Sequence, residues 1–503
     1  MTQTPPLPLN ATVAVIGAGT MGAGIAQVAA AAGHPVLLYD NRDGAAEAAL
    51  TAMNTQLSRR VERGKITDEA KTQLLARMTP CQKLADLAQA ALVIEAIVED
   101  LAVKQSVFTS LETTCTPDTL FASNSSSLSI TAIASKLNDP GRLAGMHFFN
   151  PAPVMKLCEV IAGLESRSHV IDTLLATARN WGKVAVRANN TPGFIVNRVA
   201  RPYYTEAMKV YEEAGADIAT LDALLKDAGQ FPMGPFALTD LIGQDINLAV
   251  SQTVFASYYQ DRRFEPSLVQ QALVEGGLLG RKSGRGFYDY RDGAEPKYPL
   301  TITPGEPPKN MIVDGKPGLW QPLIERLSAA GITVQPGDPD KPAAMTCEGL
   351  SLKLTGGCTA TTQARRSGDP NTILFDLAFD YASTDRLALS PADGSNPEAM
   401  ATAAALFAEA GIQCSHLDDS PGLIVMRTVV MLCNLAADAV HKGVCSAEDA
   451  DNAMKAGTNY PAGPIEWGER LGLKTVIQVL NELEEHYQDG RYRVSPWLKR
   501  RSA

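Results

Sequence analysis

Apolar residues follow two rhythms along this chain. Short unbroken apolar runs, the pattern of buried strands, punctuate the first 190 residues. Thr12–Ile16 is one and Val36–Tyr39 another. Between them an Ala-rich stretch from about Met21 to Ala32 predicts a helix stopped by Gly33. "AALVIEAIVED" (90–100) and "TLFASNSSSLSI" (119–130) repeat the scheme, each an apolar strand ending in polar residues. "LAGMHFFNPAPVMKLCEVI" (143–161) has two apolar runs around an Asn-Pro-Ala-Pro turn signal. A hairpin centred near Pro153 pairs residues whose numbers sum to 306, setting His147 opposite Glu159. From residue 192 the apolar positions take the helical period, bounded by Pro and Gly.

The helical stretch occurs twice. Residues 192–243 align without a gap on 421–472 at an offset of 229, with twelve identities. "TPGFIVNR" (191–198) returns as "SPGLIVMR" (420–427), and "FPMGPF" as "YPAGPI". Asn197 becomes Met426. Between the copies, residues 291–318 predict a Pro-, Gly- and Lys-containing linker. Alternating helix-like and strand-like runs follow, suggesting a cut-down nucleotide domain without its glycine motif. The expected domains are therefore 1–188, 189–291, 292–417 and 418–503.

The first unit carries chemistry. Gly17-x-Gly19-x-x-Gly22 follows a strand and opens a helix, and Asp40 ends the next strand 18 residues past Gly22. Gly17 permits the tight turn, Gly19 lets backbone approach a pyrophosphate, and Gly22 lets helix and strand pack closely. The pyrophosphate sits on the helix N-terminus. Asp40 accepts a ribose 2′-hydroxyl and repels a 2′-phosphate, so NAD is expected, with Arg42 leaving NADP open. In isolation "SNSSS" reads equally well as a turn or helix cap. A lone His in an apolar run is usually packing. A facing glutamate changes that, because a carboxylate fixes the imidazole tautomer and stabilises its cation, as an oriented general base requires. Phe148 and Phe149 are expected to keep water from His147.

Composition limits the partners. The 503 residues are 45% apolar and 20% charged, with a net charge of −10. That argues against a nucleic-acid partner. The basic stretch "SRRVERGK" (58–65) is then a local patch for anionic phosphates, although any one arginine in it fits a solvated helix face. The eight cysteines show no C-x-x-C and no metal-ligand spacing, so no metal is expected and a reduced, cytoplasmic setting is. No signal peptide and no membrane span are read.

Taken together, "GAGTMGAGIAQ", "EAIVED", "SNSSSLSI", "HFFNPAPVMKLCEVI", "TPGFIVNR", "FPMGPFALTDLIG" and "GLLGRKSGRGFYDY" resemble an L-3-hydroxyacyl-CoA dehydrogenase over residues 11–291. The resemblance implies a Rossmann-type α/β domain, then an all-α C-terminal domain, with a degenerate second copy of the helical domain behind it. It implies NAD as cofactor and an acyl-CoA thioester as substrate. It makes His147 the base and Glu159 its orienting acid, and gives Ser126 and Asn197 the reacting oxygens. Its NAD contacts fall on Gly17, Gly19, Thr20, Met21, Gly22, Asp40, Ala96, Glu99, Lys104, Asn150 and Lys282. Its CoA contacts fall on Ser58 and Lys65. "NRVARPYYTEA" and "LTDLIGQDINLAV" are most like the long bacterial subgroup acting on 3-hydroxyadipyl-CoA in phenylacetate catabolism. The alternatives are a 3-hydroxybutyryl-CoA or general fatty-acid β-oxidation enzyme, a dehydrogenase of free β-hydroxy acids, and a non-catalytic nucleotide-binding protein. A tandem helical copy implies an intrachain pseudo-dimer, with homo-oligomers also open.

Overall fold

A computed structural model describes residues 4–502. The chain begins with β1 (Val13–Ile16), α1 (Thr20–Ala32), β2 (Val36–Tyr39), α2 (Ala45–Glu62), α3 (Asp68–Ala76) and β3 (Met78–Cys81). It continues with β4 (Leu92–Glu95), α4 (Leu101–Thr114), β5 (Leu120–Ser123), α5 (Ile130–Ala134), β6 (Leu143–Phe148), β7 (Leu157–Ala162), α6 (Ser168–Asn180) and β8 (Val184–Asn189). These strands form one eight-stranded sheet ordered β3-β2-β1-β4-β5-β6-β7-β8. Only the β6–β7 pair is antiparallel, and its register sets His147 against Glu159. The order reverses between β1 and β4, where doubly wound sheets bind ligands beyond the strand ends.

The first helical copy holds α7 (Val196–Val199), α8 (Arg201–Glu212), α9 (Ile218–Asp227), α10 (Pro235–Ile242), α11 (Gln244–Ser257) and α12 (Leu268–Glu275). A second sheet follows: β9 (Asn310–Asp314), α13 (Gln321–Ala329), β10 (Thr333–Pro336), β11 (Ala344–Cys347), β12 (Leu350–Leu354), α14 (Ala360–Ser367), β13 (Thr372–Phe375), β14 (Arg386–Pro391), α15 (Ala399–Glu409) and β15 (Gln413–His416). Its order is β10-β9-β11-β12-β13-β14-β15. The second helical copy is α16 (Val425–His441), α17 (Ala447–Thr458), α18 (Pro464–Leu471), α19 (Leu473–Tyr487) and α20 (Pro496–Arg501).

β9 corrects the expected linker. "NMIVD" pairs with β10 and β11, and the Pro and Gly residues around it only bound a short strand. Among the described residues the chain forms two compact units, one of residues 4–198 with 442–458, the other of 199–441 with 459–502. The α17 segment of the second copy thus belongs to the unit of the first sheet and lies against β7 and β8. In the other unit, α9 of the first copy lies against β14. The copies have exchanged equivalent helices.

Within that second unit the two helical copies pair. α8 packs along α16, and buried Glu206 takes Arg427 at 2.7 Å, Arg491 at 2.7 Å and the Tyr492 hydroxyl at 2.8 Å. Burial pushes the Glu206 carboxyl up, but Arg491 and Arg427 outweigh it and hold it at about 2. A buried carboxylate needs such partners, since removing one leaves an uncompensated charge.

Candidate active site

The glycine turn has the shape its spacing predicts. Gly17 has φ 101°, and a Cβ there would meet the Ala96 carbonyl oxygen at 2.5 Å. A Cβ on Gly22 would run into the Gly17 carbonyl, so helix and turn touch. A Cβ on Gly19 would meet nothing within 4 Å, and α1 begins with no side-chain cap on its N–H groups. Open space before uncapped N–H donors fits a dinucleotide pyrophosphate. Asp40 closes the same region. Its carboxylate takes the Ala18 N–H at 2.8 Å and a two-pronged pairing from Arg42. The Arg42 pairing holds the Asp40 carboxyl down at about 2. Gly17, Gly19, Asp40, Arg42, Ala96 and Val103 help line a cavity of about 590 Å³. These features fit NAD.

A second cavity, about 410 Å³, gathers most of the remaining expected residues. Met21, Ala96, Glu99, Lys104, Asn124, Ser126, His147, Asn150 and Asn197 all line it. His147 Nδ1 lies 2.7 Å from Glu159 Oε2, both side chains being buried. In the neutral ring that this contact orients, Nδ1–H donates to the carboxylate and Nε2 carries the lone pair. The other Glu159 oxygen accepts the N–H groups of Ile195 at 3.0 Å and Val196 at 3.1 Å. One carboxylate thus orients the histidine and anchors the turn that delivers Asn197.

The aromatic shielding differs from expectation. Phe149 and Phe194 face the His147 ring, with centroids at 4.5 and 6.0 Å. Phe148 instead stacks near Trp181 at 6.4 Å, since successive strand residues point to opposite faces.

Around the polar loop the sequence hid a buried network. Glu95 is fully buried at the end of β4 and takes Lys104 Nζ, Ser123 Oγ and the Ile97 N–H at 2.6, 2.6 and 2.7 Å. Lys104 also reaches Glu99 at 3.2 Å. Glu99 accepts the Ser126 and Ser127 N–H groups and the Ser125 and Ser127 hydroxyls. Burial pushes its carboxyl up, yet these donors and Lys104 bring it below the usual range. The signal for Glu95 was a glutamate inside an apolar strand. Asn124 accepts the Phe148 N–H at 2.8 Å, joining this loop to the histidine strand.

Ser58, on α2, takes Lys71 Nζ at 3.2 Å, and Lys65 is exposed after that helix. Lys282, in the second unit, pairs with Asp245 at 2.5 Å. Thr20 lines a further cavity of about 600 Å³ with Gly19, Gln56, Arg60 and Asn150.

The second half repeats this frame without its chemistry. Gly193 and Gly422 share φ near 73° (73° and 72°), and Phe194 and Leu423 have φ 45° and 51°. Asp376 stands where His147 would be, directly after β13, and Ala388 faces it across the sheet where Glu159 would be. The Asp376 carboxylate itself accepts the N–H groups of Ile424, Val425 and Met426 at 2.9, 2.7 and 3.0 Å.

The glycine turn, the sheet order and the helical repeat define a dinucleotide-dependent dehydrogenase with a duplicated body. Residues 12–191 match the family described as "3-hydroxyacyl-CoA dehydrogenase, NAD binding domain", and 193–290 with 422–503 match its C-terminal domain. Residues 352–421 match "3-hydroxybutyryl-CoA dehydrogenase reduced Rossmann-fold domain". The chain is 43% identical to the 3-hydroxyadipyl-CoA dehydrogenase of Escherichia coli K12, over 98% of this chain and 97% of that protein. It is 44% identical to a probable 3-hydroxybutyryl-CoA dehydrogenase of Bacillus subtilis, over 56% of this chain and 97% of that one. A crystal structure of E. coli K12 3-hydroxybutyryl-CoA dehydrogenase superposes with a TM-score of 0.89 at 42% identity, covering 98% of each chain. This chain belongs to the 3-hydroxyacyl-CoA dehydrogenase family. It is an oxidoreductase of 3-hydroxyacyl-CoA thioesters with NAD as cofactor. Among the described residues no helix is long and apolar enough to cross a membrane.

Proposed function

We propose that His147 is the general base of the oxidation, with Glu159 its orienting carboxylate and Ser126 and Asn197 hydrogen-bonding the reacting oxygens. The carrying observation is the 2.7 Å His147–Glu159 bond facing the cavity that Ser126 and Asn197 also line. The 3-hydroxyl proton passes to His147 Nε2 while the C3 hydrogen leaves with its electron pair. NAD, when bound, is the acceptor of that hydrogen and pair. Glu159 stabilises the imidazolium that forms. Glu99 and Lys104 border the same cavity and hold the Ser126 loop in place. Gln in place of His147 keeps size and polarity but removes the base. His147→Gln is expected to lower kcat by ~10²–10⁴ with NADH affinity, measured by fluorescence titration, unchanged. Near-normal turnover in that variant would overturn the assignment.

The proposed acyl group is 3-hydroxyadipyl, with Ser58 and Lys65 near the CoA phosphates. Its support is that the 3-hydroxyadipyl-CoA relative matches over nearly the whole chain, the duplicated half included. The superposing crystal structure carries the 3-hydroxybutyryl name, so acyl length is the point to measure. 3-Hydroxyadipyl-CoA is expected to give a higher kcat/KM than 3-hydroxybutyryl-CoA and its longer homologues. A preference for the four-carbon substrate would assign the shorter activity instead.

The two helical copies are proposed to act as an intrachain pseudo-dimer, supported by the α8–α16 packing and its buried Glu206–Arg427 pair. Deleting 418–503 should expose that apolar face and aggregate the protein. A soluble, fully active truncation would count against the pairing.

A further inference from the structure

One segment of the silent second copy belongs to the unit that holds the working site. Residues 442–458 sit in the unit of the first sheet although their sequence belongs to the second copy. They are fastened at the sheet edge. β8 is the outermost strand, and its last residue, Asn189, gives its N–H to Val444 at 2.8 Å and its side-chain amide to Gly443 at 2.6 Å. Along α17 the buried residues Ala450, Ala453 and Met454 make one face, which Gly457 continues by helical spacing.

Gly457 brings that face against the strand and the turn of the site. A Cβ there would meet Leu157 Cδ2 at 2.5 Å and Val196 Cγ2 at 3.3 Å. Leu157 lies on β7 two residues before Glu159, on the same face of the strand. Val196 donates its N–H to Glu159 and precedes Asn197. Gly457 therefore touches both neighbours of the Glu159 anchor. The reciprocal exchange shows what is particular here. Asp418 donates to Gly215 at 2.9 Å as Asn189 donates to Val444, but the counterpart of Gly457, 229 residues earlier, is Ala228. The side that has a histidine and a glutamate carries a glycine at this place, and the other side a buried alanine.

We propose that residues 442–458 are a positioning element of the active site, with Gly457 setting the spacing between the Glu159 strand and the turn that delivers Asn197. The inference rests on the proposed His147–Glu159–Asn197 site. Gly457 touches no substrate or cofactor and acts through Leu157 and Val196.

The test uses the full chain. Gly457→Ala inserts one methyl against Leu157, and Leu157→Val in the same chain removes the atom it meets. Gly457→Ala is expected to lower kcat about 10-fold or more, because sub-ångström to 1 Å misplacement of catalytic groups is costly. NADH affinity should stay at the wild-type value, since the glycine turn and Asp40 are untouched. The double variant should recover most of the lost kcat. If Gly457→Ala folds poorly, Asn189→Ala loosens the segment without adding atoms and should also lower kcat while sparing NADH affinity. A folded Gly457→Ala or Asn189→Ala protein with wild-type kcat would refute the proposal. So would a parallel loss of kcat and NADH affinity, or a double variant that recovers nothing. An active His147→Gln protein would instead refute the site reading, so the two failures are distinguishable.

Discussion

Asp40 shows how much one residue decides. Its carboxylate holds the Ala18 N–H and the Arg42 fork at once, so its negative charge stands beside the glycine turn while Arg42 is kept occupied, and the proposed role is to meet the ribose 2′ group. Removing the charge should reverse the balance. Asp40→Asn is expected to raise the NADP-to-NAD ratio of kcat/KM by at least about tenfold, and adding Arg42→Ala should abolish the gain. Steady-state kinetics with both cofactors decide it, and an unchanged ratio in Asp40→Asn would remove Asp40 as the determinant. The acid, its spacing and the neighbouring arginine were legible in the sequence. The Ala18 bond and the closed fork were not, because they depend on where the turn after β1 carries its N–H groups. Glu95 is a similar case. Its burial follows from its position in a strand, but its partners Lys104 and Ser123 come from α4 and β5, at separations no local pattern encodes.

At the level of elements, the hairpin register was readable because an antiparallel pair joined by a short turn obeys one sum. Pairing of His147 with Glu159 followed from the position of that turn. The same strand pair in the second half was opaque, since Asp376 and Ala388 sit in runs that look like ordinary strand ends. There the missing histidine and glutamate are replaced by one carboxylate that caps the helical turn directly. Burial pushes the Asp376 carboxyl up to about 6, with the backbone N–H donors opposing the rise. The sign of the pH effect follows. Between about pH 4 and 6 the folded chain keeps a proton that the unfolded chain releases. This contribution to stability is full below about pH 4 and lost as pH rises through 6. Asn at this position cannot titrate, so Asp376→Asn should gain stability relative to wild type over that interval, by up to roughly 3 kcal/mol. Denaturant unfolding at pH 4.5 and 7 measures the change, and parallel profiles would show that Asp376 does not titrate there.

For the molecule as a whole, duplication and loss have been uneven. The helical copy is retained, with its Pro-Gly turn, backbone geometry and buried arginine (Arg198 and Arg427), because it packs against its twin. The nucleotide half has shrunk, and nothing in 292–419 repeats the Gly17-x-Gly19-x-x-Gly22 turn. Met426 in place of Asn197 was the sequence clue to this asymmetry. The exchange of α9 and α17 gave no such clue, since both helices have the same amphipathic pattern and only tertiary packing decides which sheet each covers. A binding count separates a repeated scaffold from a repeated enzyme. Titration of the full chain with NADH should saturate at one cofactor per 503 residues. Asp40→Ala with Gly19→Val, which blocks the first half, should remove that binding altogether. Two cofactors per chain, or one surviving in the blocked variant, would mean that the reduced half still takes a dinucleotide despite lacking the turn that holds its phosphates.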